Sequence, residues 1–265
     1  MRPIPSLPVR GTIARVIVRP ETLGKSEDAV VGISGEAGGE PLHFARLPSG
    51  VFESLFGIPL EGGDTLPLWL RVERPGRVDT TIMGLVVRTP VFRSERLTVP
   101  PAMLAPDSTT QARIDSEIER ARDVSQHSHQ TPQLWRGRFR LPRSSRITSR
   151  YGTTREYNGA ITSRHLGTDF AGVVGQPVAA AARGVVALVG NFYLAGRAVY
   201  LDHGGGLVTG YFHLSRVDVT VGDTVRAGQI IGAVGRSGRV TGPHLHWIAR
   251  YGGITVDPMS LLELR

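Results

Sequence analysis

Five of the eight histidines, His165, His203, His213, His244 and His246, fall between positions 165 and 246. In His165-Leu166-Gly167-Thr168-Asp169 an imidazole and a carboxylate stand four residues apart. On an extended strand such residues face the same side, so both could approach one ion. The residues that follow, Phe170-Ala171-Gly172, favour strand over helix. In His244-Leu245-His246-Trp247 two imidazoles share a strand face while Leu245 points into a core.

Two imidazoles and one carboxylate suffice to hold Zn²⁺ with a fourth position left for water, the open arrangement of a catalytic site. An ion held this way acidifies water and polarises a carbonyl. Hydrolysis also needs a proton carrier matched to neutral pH, which imidazole supplies. His213, in Tyr211-Phe212-His213-Leu214-Ser215, is one candidate, and the unligated member of the His244/His246 pair is another. Each motif alone is common by chance; their ordered occurrence within one Gly-rich β segment is specific. His203 precedes Gly204-Gly205-Gly206 and reads as structural or supporting, since a strand end of that kind needs no metal.

The elements that must position these groups are mostly strands. Gly184–Gly190 and Ala198–His203 are Val-rich and read as buried or half-buried strands, and Val221–Gly232 reads as two short strands separated by turns at Gly222-Asp223 and Ala227-Gly228. Gly11–Pro100 reads as an all-β module: Thr12–Val18, Leu66–Glu73 and Thr80–Arg88 alternate, with a turn at Arg74-Pro75-Gly76-Arg77. Short strands so spaced suggest a small sandwich; His43 stands alone there and reads as structural. The spacing of Ile114, Ile118 and Ala121 predicts a helix over Asp107–Val124, with Asp107, Ser108 or Thr109 as its cap. The polar stretch Ser125–Gln130 then reads as a linker. His127 and His129 would share a face if it were extended, but no third ligand lies near them in sequence.

Ser149-Arg150-Tyr151-Gly152, His165-x-Gly167-x-Asp169-Phe170-Ala171, Asp202-His203-Gly204, Tyr211-x-His213-Leu214-Ser215, Gly235-x-Ser237-Gly238 and Gly242-Pro243-His244-Leu245-His246 occur in this order. Together they resemble the M23 family of metallopeptidases, of the lysostaphin and LytM type, over roughly residues 146–258. The resemblance implies a mainly β chain: an antiparallel sheet with a groove at residues 134–265, a helical connector and linker at 104–133, and a small β-sandwich-like module at 1–103. It implies one Zn²⁺ held by His165, Asp169 and His246, with His213 and His244 flanking the attacking water and steadying the oxyanion. Which of those two is the base stays open, and Tyr151 matches an aromatic position near the site in some relatives, which makes it a candidate transition-state contact. The expected substrate is bacterial peptidoglycan, cut in its stem peptides or cross-links, in the periplasm, the envelope or outside the cell. The N-terminal module would regulate through the groove, target or dock. The rival within the family is a catalytically silent scaffold that activates another wall hydrolase; such relatives lack ligands, and here every expected ligand is present.

Composition narrows the remaining classes. Cysteine is absent, which excludes thiolate metal sites, disulfides and Cys nucleophiles. No apolar run is long enough to span a bilayer. Met1–Arg10 is Pro-rich without the apolar stretch of a signal peptide, so export calls for a leader that this sequence does not show or for an unusual route. Val221–Gly232 has the look of a lipoyl-type hairpin, yet the one lysine of the chain is Lys25, so there is nothing there to modify. Residues 130–265 carry 16 Lys+Arg against 7 Asp+Glu, whereas residues 1–129 carry 15 against 16, so the net charge of +8 belongs to the C-terminal half. That surface suits an anionic partner. The arginines read as scattered, not as a stripe interleaved with aromatics, and no nucleic-acid motif is present.

Overall fold

The computed structural model describes residues 2–19, 30–98, 104–159 and 161–264, without the side chains of 161 and 162. The Pro100 end of the expected β module and the expected boundary at 103 lie outside the described residues. The chain divides into two compact units, Met1–Val91 with Ile254–Val256, and Phe92–Gly253 with Asp257–Arg265.

In the first unit, β1 (Arg2–Ile4), β2 (Ile13–Val18), β5 (Ala45–Arg46) and β6 (Phe52–Gly57) form one antiparallel sheet in the order β1-β2-β6-β5. A second sheet runs β4-β3-β7-β8, from β3 (Gly32–Ala37), β4 (Glu40–Pro41), β7 (Thr65–Arg74) and β8 (Arg77–Val86). Strand β7 alternates strictly, with Leu66, Leu68, Leu70 and Val72 buried between exposed neighbours, as its sequence requires of a half-buried strand. These leucines pack with Ala14, Val16, Val18, Phe52 and Phe56 of the first sheet into one core, which makes the pair a sandwich. The β7–β8 hairpin closes through Pro75-Gly76, with Gly76 at φ 69°.

The second unit is built on an antiparallel sheet in the order β10-β13-β20-β17-β16-β15-β18. Its strands are β10 (Ile147–Ser149), β13 (Thr168–Ala171), β15 (Gly184–Phe192), β16 (Gly196–Gly204), β17 (Leu207–Val217), β18 (Thr224–Val225) and β20 (His244–Tyr251). β19 (Ile230–Val234) adds to β17, and β14 (Pro177–Ala179) to β19. A smaller sheet, β12-β11-β9, joins β9 (Ser94–Leu97) in parallel to β11 (Thr154–Tyr157), which pairs antiparallel with β12 (Ile161–Arg164). The segment from Phe92 onward, expected with the N-terminal module, thus joins the sheets of the second unit.

The helix α1 (Ser108–His127) starts where the sequence placed it: the Asp107 carboxylate accepts from Thr110 N at 2.7 Å. Its buried positions are Ile114, Ala121 and Ser125, while Ile118 is exposed, correcting the expected apolar stripe. Ala121 packs with Leu188, Phe192, Tyr200, Val208 and Ile248 on one face of the sheet. The linker expected at 125–130 is likewise corrected. The helix runs through His127 into a 3₁₀ turn, Ser128–Gln130, and Ser128 is fully buried. The cause is Asp202, a buried carboxylate that must be satisfied: Ser128 Oγ donates to it at 2.5 Å, Thr131 Oγ1 at 2.6 Å and Gly204 N at 2.8 Å. His127 and His129 are therefore not on an extended face, and His129 packs edge-on against Tyr251.

Candidate metal centre

The register of β13 against β20 sets Asp169 directly opposite His246. Cross-strand partners lie about 5 Å apart at Cβ, close enough for two short side chains to share one atom. His165 arrives differently from the expected strand. It sits in the irregular link between β12 and β13, and its backbone pairs with residues 152–153. The link crosses the His246 ring so closely that a Cβ at Gly167 would stand 2.6 Å from His246 Cε1 and 2.7 Å from Nε2. Only glycine permits that approach, so Gly167 is a site residue whose role is visible only in the fold.

The outcome is a tight triangle. His165 Nε2 lies 3.0 Å from Asp169 Oδ1 and 3.0 Å from His246 Nδ1, and His246 Nδ1 lies 2.6 Å from Asp169 Oδ1. His165 Nδ1 faces the Arg150 carbonyl at 3.0 Å. A carbonyl can only accept, so Nδ1 carries the proton and Nε2 turns a lone pair inward. Inward lone pairs of imidazole and carboxylate, buried together, call for a cation among them. Two nitrogens and one oxygen are the ligand chemistry of an open zinc site, with the backbone carbonyl as the outer orienting partner. Among the described residues this is the one cluster of three such groups.

Two further imidazoles complete the floor. His213 and His244 have ring centroids 4.9 Å apart, and His244 Nε2 lies 3.7 Å from Asp169 Oδ1. Each is tied on Nδ1 to a carbonyl, Ser237 O at 2.9 Å for His213 and Gly242 O at 2.9 Å for His244. Each therefore keeps Nε2 as its free acceptor. His213 occupies a fork: β17 pairs with β20 as far as Phe212 and with β19 from Leu214. The kink is taken up by His213 itself, at φ 64°, a left-handed conformation that costs a non-glycine residue roughly 1–3 kcal/mol.

Electrostatics follow from burial. Burial opposes the Asp169 charge, while the adjoining His165 and His246 act the other way and hold the carboxyl well below the usual range. Burial pushes His213 down to about 3, helped by repulsion from His246 and His244, so its imidazole is neutral at pH 7. His246 is lowered chiefly by burial, against the pull of Asp169.

Behind the triangle lies a network the sequence reading did not find. Arg155 NH2 donates to Asp169 Oδ2 at 2.8 Å and to Ser149 Oγ at 3.2 Å, while Ser149 Oγ reaches Glu95 at 3.1 Å and His165 Nδ1 at 3.2 Å. Glu95 reaches the site through the parallel pairing of β9 with β11, which leaves no local sequence signal. The cavity over these groups has a volume of about 570 Å³ and includes Glu95, Tyr157, Arg164 and Arg239 in its walls. Tyr151 is buried and is not among the wall residues; Tyr157 is the tyrosine in the wall. His203 stands outside too. Its Nδ1 donates to Arg183 O at 2.8 Å and its Nε2 pairs with Thr209 Oγ1 at 2.8 Å, so it is satisfied without a ligand.

The family model that matches residues 163–258 is Peptidase family M23. This segment is an M23 domain. Over 156 residues the chain is 38% identical to the peptidoglycan DD-endopeptidase ShyA of Vibrio cholerae, covering 54% of this chain and 36% of ShyA. Over 97 residues it is 45% identical to the DD-carboxypeptidase/endopeptidase Mpg of Neisseria meningitidis, covering 37% of this chain and 22% of Mpg. The chain thus spans about a third of ShyA and less of Mpg. A crystal structure of a putative peptidase M23 from Pseudomonas aeruginosa superposes with a TM-score of 0.70 at 25% identity, covering 96% of this chain and 95% of that one. Around the M23 domain, no described helix is long and apolar enough to cross a membrane.

Proposed function

We propose that the protein is a zinc-dependent endopeptidase that hydrolyses peptide bonds in bacterial peptidoglycan, acting in the cell envelope. The observation that carries this reading is the convergence of His165 Nε2, Asp169 Oδ1 and His246 Nδ1 beside two imidazoles with free Nε2 atoms. The substrate class is supported by ShyA and Mpg, whose names both include DD-endopeptidase or endopeptidase activity, so the bond proposed is one between two D-residues of a cross-link.

In this reading His165, Asp169 and His246 hold the zinc, which when bound supplies Lewis acidity to the scissile carbonyl and lowers the pKa of water. Neutral His213, fixed by Ser237 O, offers Nε2 to take the proton of the attacking water. His244, fixed by Gly242 O, lies close enough to share that task and, once protonated, to donate to the oxyanion or the leaving amine. Arg155 keeps Asp169 oriented and balances its charge.

The test is removal and return of the metal. Purified protein stripped by a chelator should release no soluble muropeptides from sacculi, and stoichiometric Zn²⁺ should restore release. Full release from the stripped protein would sink the metallopeptidase reading. Zinc binding without any release would favour the silent scaffold instead.

A further inference from the structure

We propose that an exposed arginine strip on the second unit, separate from the cavity, holds the carboxylate-bearing peptidoglycan polymer while the cleft acts; this rests on the substrate class proposed above. No Asp or Glu stands between Asp123 and Glu156, while seven arginines fall there. The sequence gives no reason to group them, but the burial pattern does. Trp135 and Phe139 are buried, their rings 5.1 Å apart, and Phe139 packs edge-on against His203 at 5.2 Å. Anchored by those two rings, the chain turns Arg136, Arg138 and Arg140 to solvent. Arg138 and Arg140 flank buried Phe139, and both are exposed.

Neighbouring elements add to the same surface. Arg183 is exposed and its guanidinium donates to Leu134 O at 3.1 Å, tying it to the start of the segment. A Cβ at Gly228 would lie 3.6 Å from Arg140 NH1, which brings the turn holding exposed Arg226 alongside. None of these five has an acidic partner among the described residues, whereas Arg113, Arg155 and Arg216 do. The segment then runs on through exposed Arg146, whose carbonyl accepts from Ala171 N, into β10, which pairs with β13 at Asp169. The segment that carries the strip is thus the one that leads into the strand beside the metal centre.

Each stem peptide of peptidoglycan carries free carboxylates, so the polymer offers repeated negative charge at a spacing no small peptide has. Unpaired guanidiniums suit it, since no internal ion pair must be broken. Attraction between exposed charges is screened by salt, with a Debye length of about 10 Å at 0.1 M.

Three measurements decide the matter. Co-sedimentation with purified sacculi on ice at low salt should weaken on the order of tenfold in Arg136→Gln/Arg138→Gln/Arg140→Gln. A charge-matched control is Arg113→Gln/Arg120→Gln/Arg122→Gln on α1, where Arg113 reaches Asn191 O and Arg120 covers Phe192 at the far end of β15 from Arg183. It should bind as wild type does. Sacculi whose carboxylates have been amidated should lose binding to the wild-type protein, and cleavage of a short soluble cross-linked dimer should be unchanged in the strip variant. Equal loss in both arginine triples, wild-type binding by the strip variant, or full binding to amidated sacculi would each overturn the proposal. Binding is read without turnover, so absence of cleavage would count against the peptidase reading alone.

Discussion

Two groups of histidine in the second unit differ in one respect. His203 has both ring nitrogens engaged, by Arg183 O and by Thr209 Oγ1. His165, His213 and His244 each have Nδ1 engaged by a carbonyl, and Nε2 is left facing other titratable groups. Burial lowers His203 to about 4 and His213 to about 3, so the extent of the shift does not separate them. The difference lies in whether the second nitrogen has a protein partner that closes its bonding. A histidine satisfied twice supports the fold; one satisfied once has a lone pair for a ligand or a proton.

That contrast can be broken from either side. The largest effect is expected at the triangle: Asp169→Ala or His246→Ala should abolish both zinc content and muropeptide release. For His213→Ala, zinc should stay bound while release falls on the order of a thousandfold, as loss of a general base does; loss of the metal as well would make His213 a ligand. Arg155→Gln frees one oxygen of Asp169 and should weaken zinc affinity roughly 10–100-fold, read by competition with a chelator of known affinity.

At His203 the signature should be stability instead. Its folded pKa is depressed from 6.5 to about 4, so the unfolded chain binds the extra proton between those values. Stability is therefore complete above pH 6.5 and falls as pH drops toward 4, by about 3 kcal/mol at the lower end. Thermal melts from pH 7 to pH 4.5 should show this slope, and His203→Gln should make it shallower, the share from buried His213 remaining, with cleavage at pH 7 unchanged below its melting point. Smallest is Ser128→Ala, which takes one hydrogen bond from buried Asp202 and should cost about 1.5–3 kcal/mol in denaturant melts without changing kinetics.

How much of this was legible in the sequence depended on range. The start of helix α1, the alternation of β7 and the Pro75-Gly76 turn are local, and local spacing carried them, though the sequence leaves the cap open among Asp107, Ser108 and Thr109. The five histidines and Asp169 were recognisable because their motifs are short and ordered. What stayed hidden was non-local: Glu95 enters by pairing β9 with β11, and Ser128 is buried because Asp202, 74 positions later, needs a donor. His165 and Asp169 do share a site, but through a bend that lets Gly167 cross His246, not through strand periodicity. The arginines gained a pattern only once Trp135 and Phe139 were seen to be buried.

The most direct test sets wild type beside His213→Ala, with zinc content measured in each, and identifies by mass spectrometry the fragments both release from sacculi. The expected result is equal zinc in the two proteins, and fragments with a newly opened D,D peptide bond from wild type alone. Equal release from both, or wild-type protein loaded with zinc that opens no peptide bond, would contradict the assignment of this centre as a peptidoglycan endopeptidase.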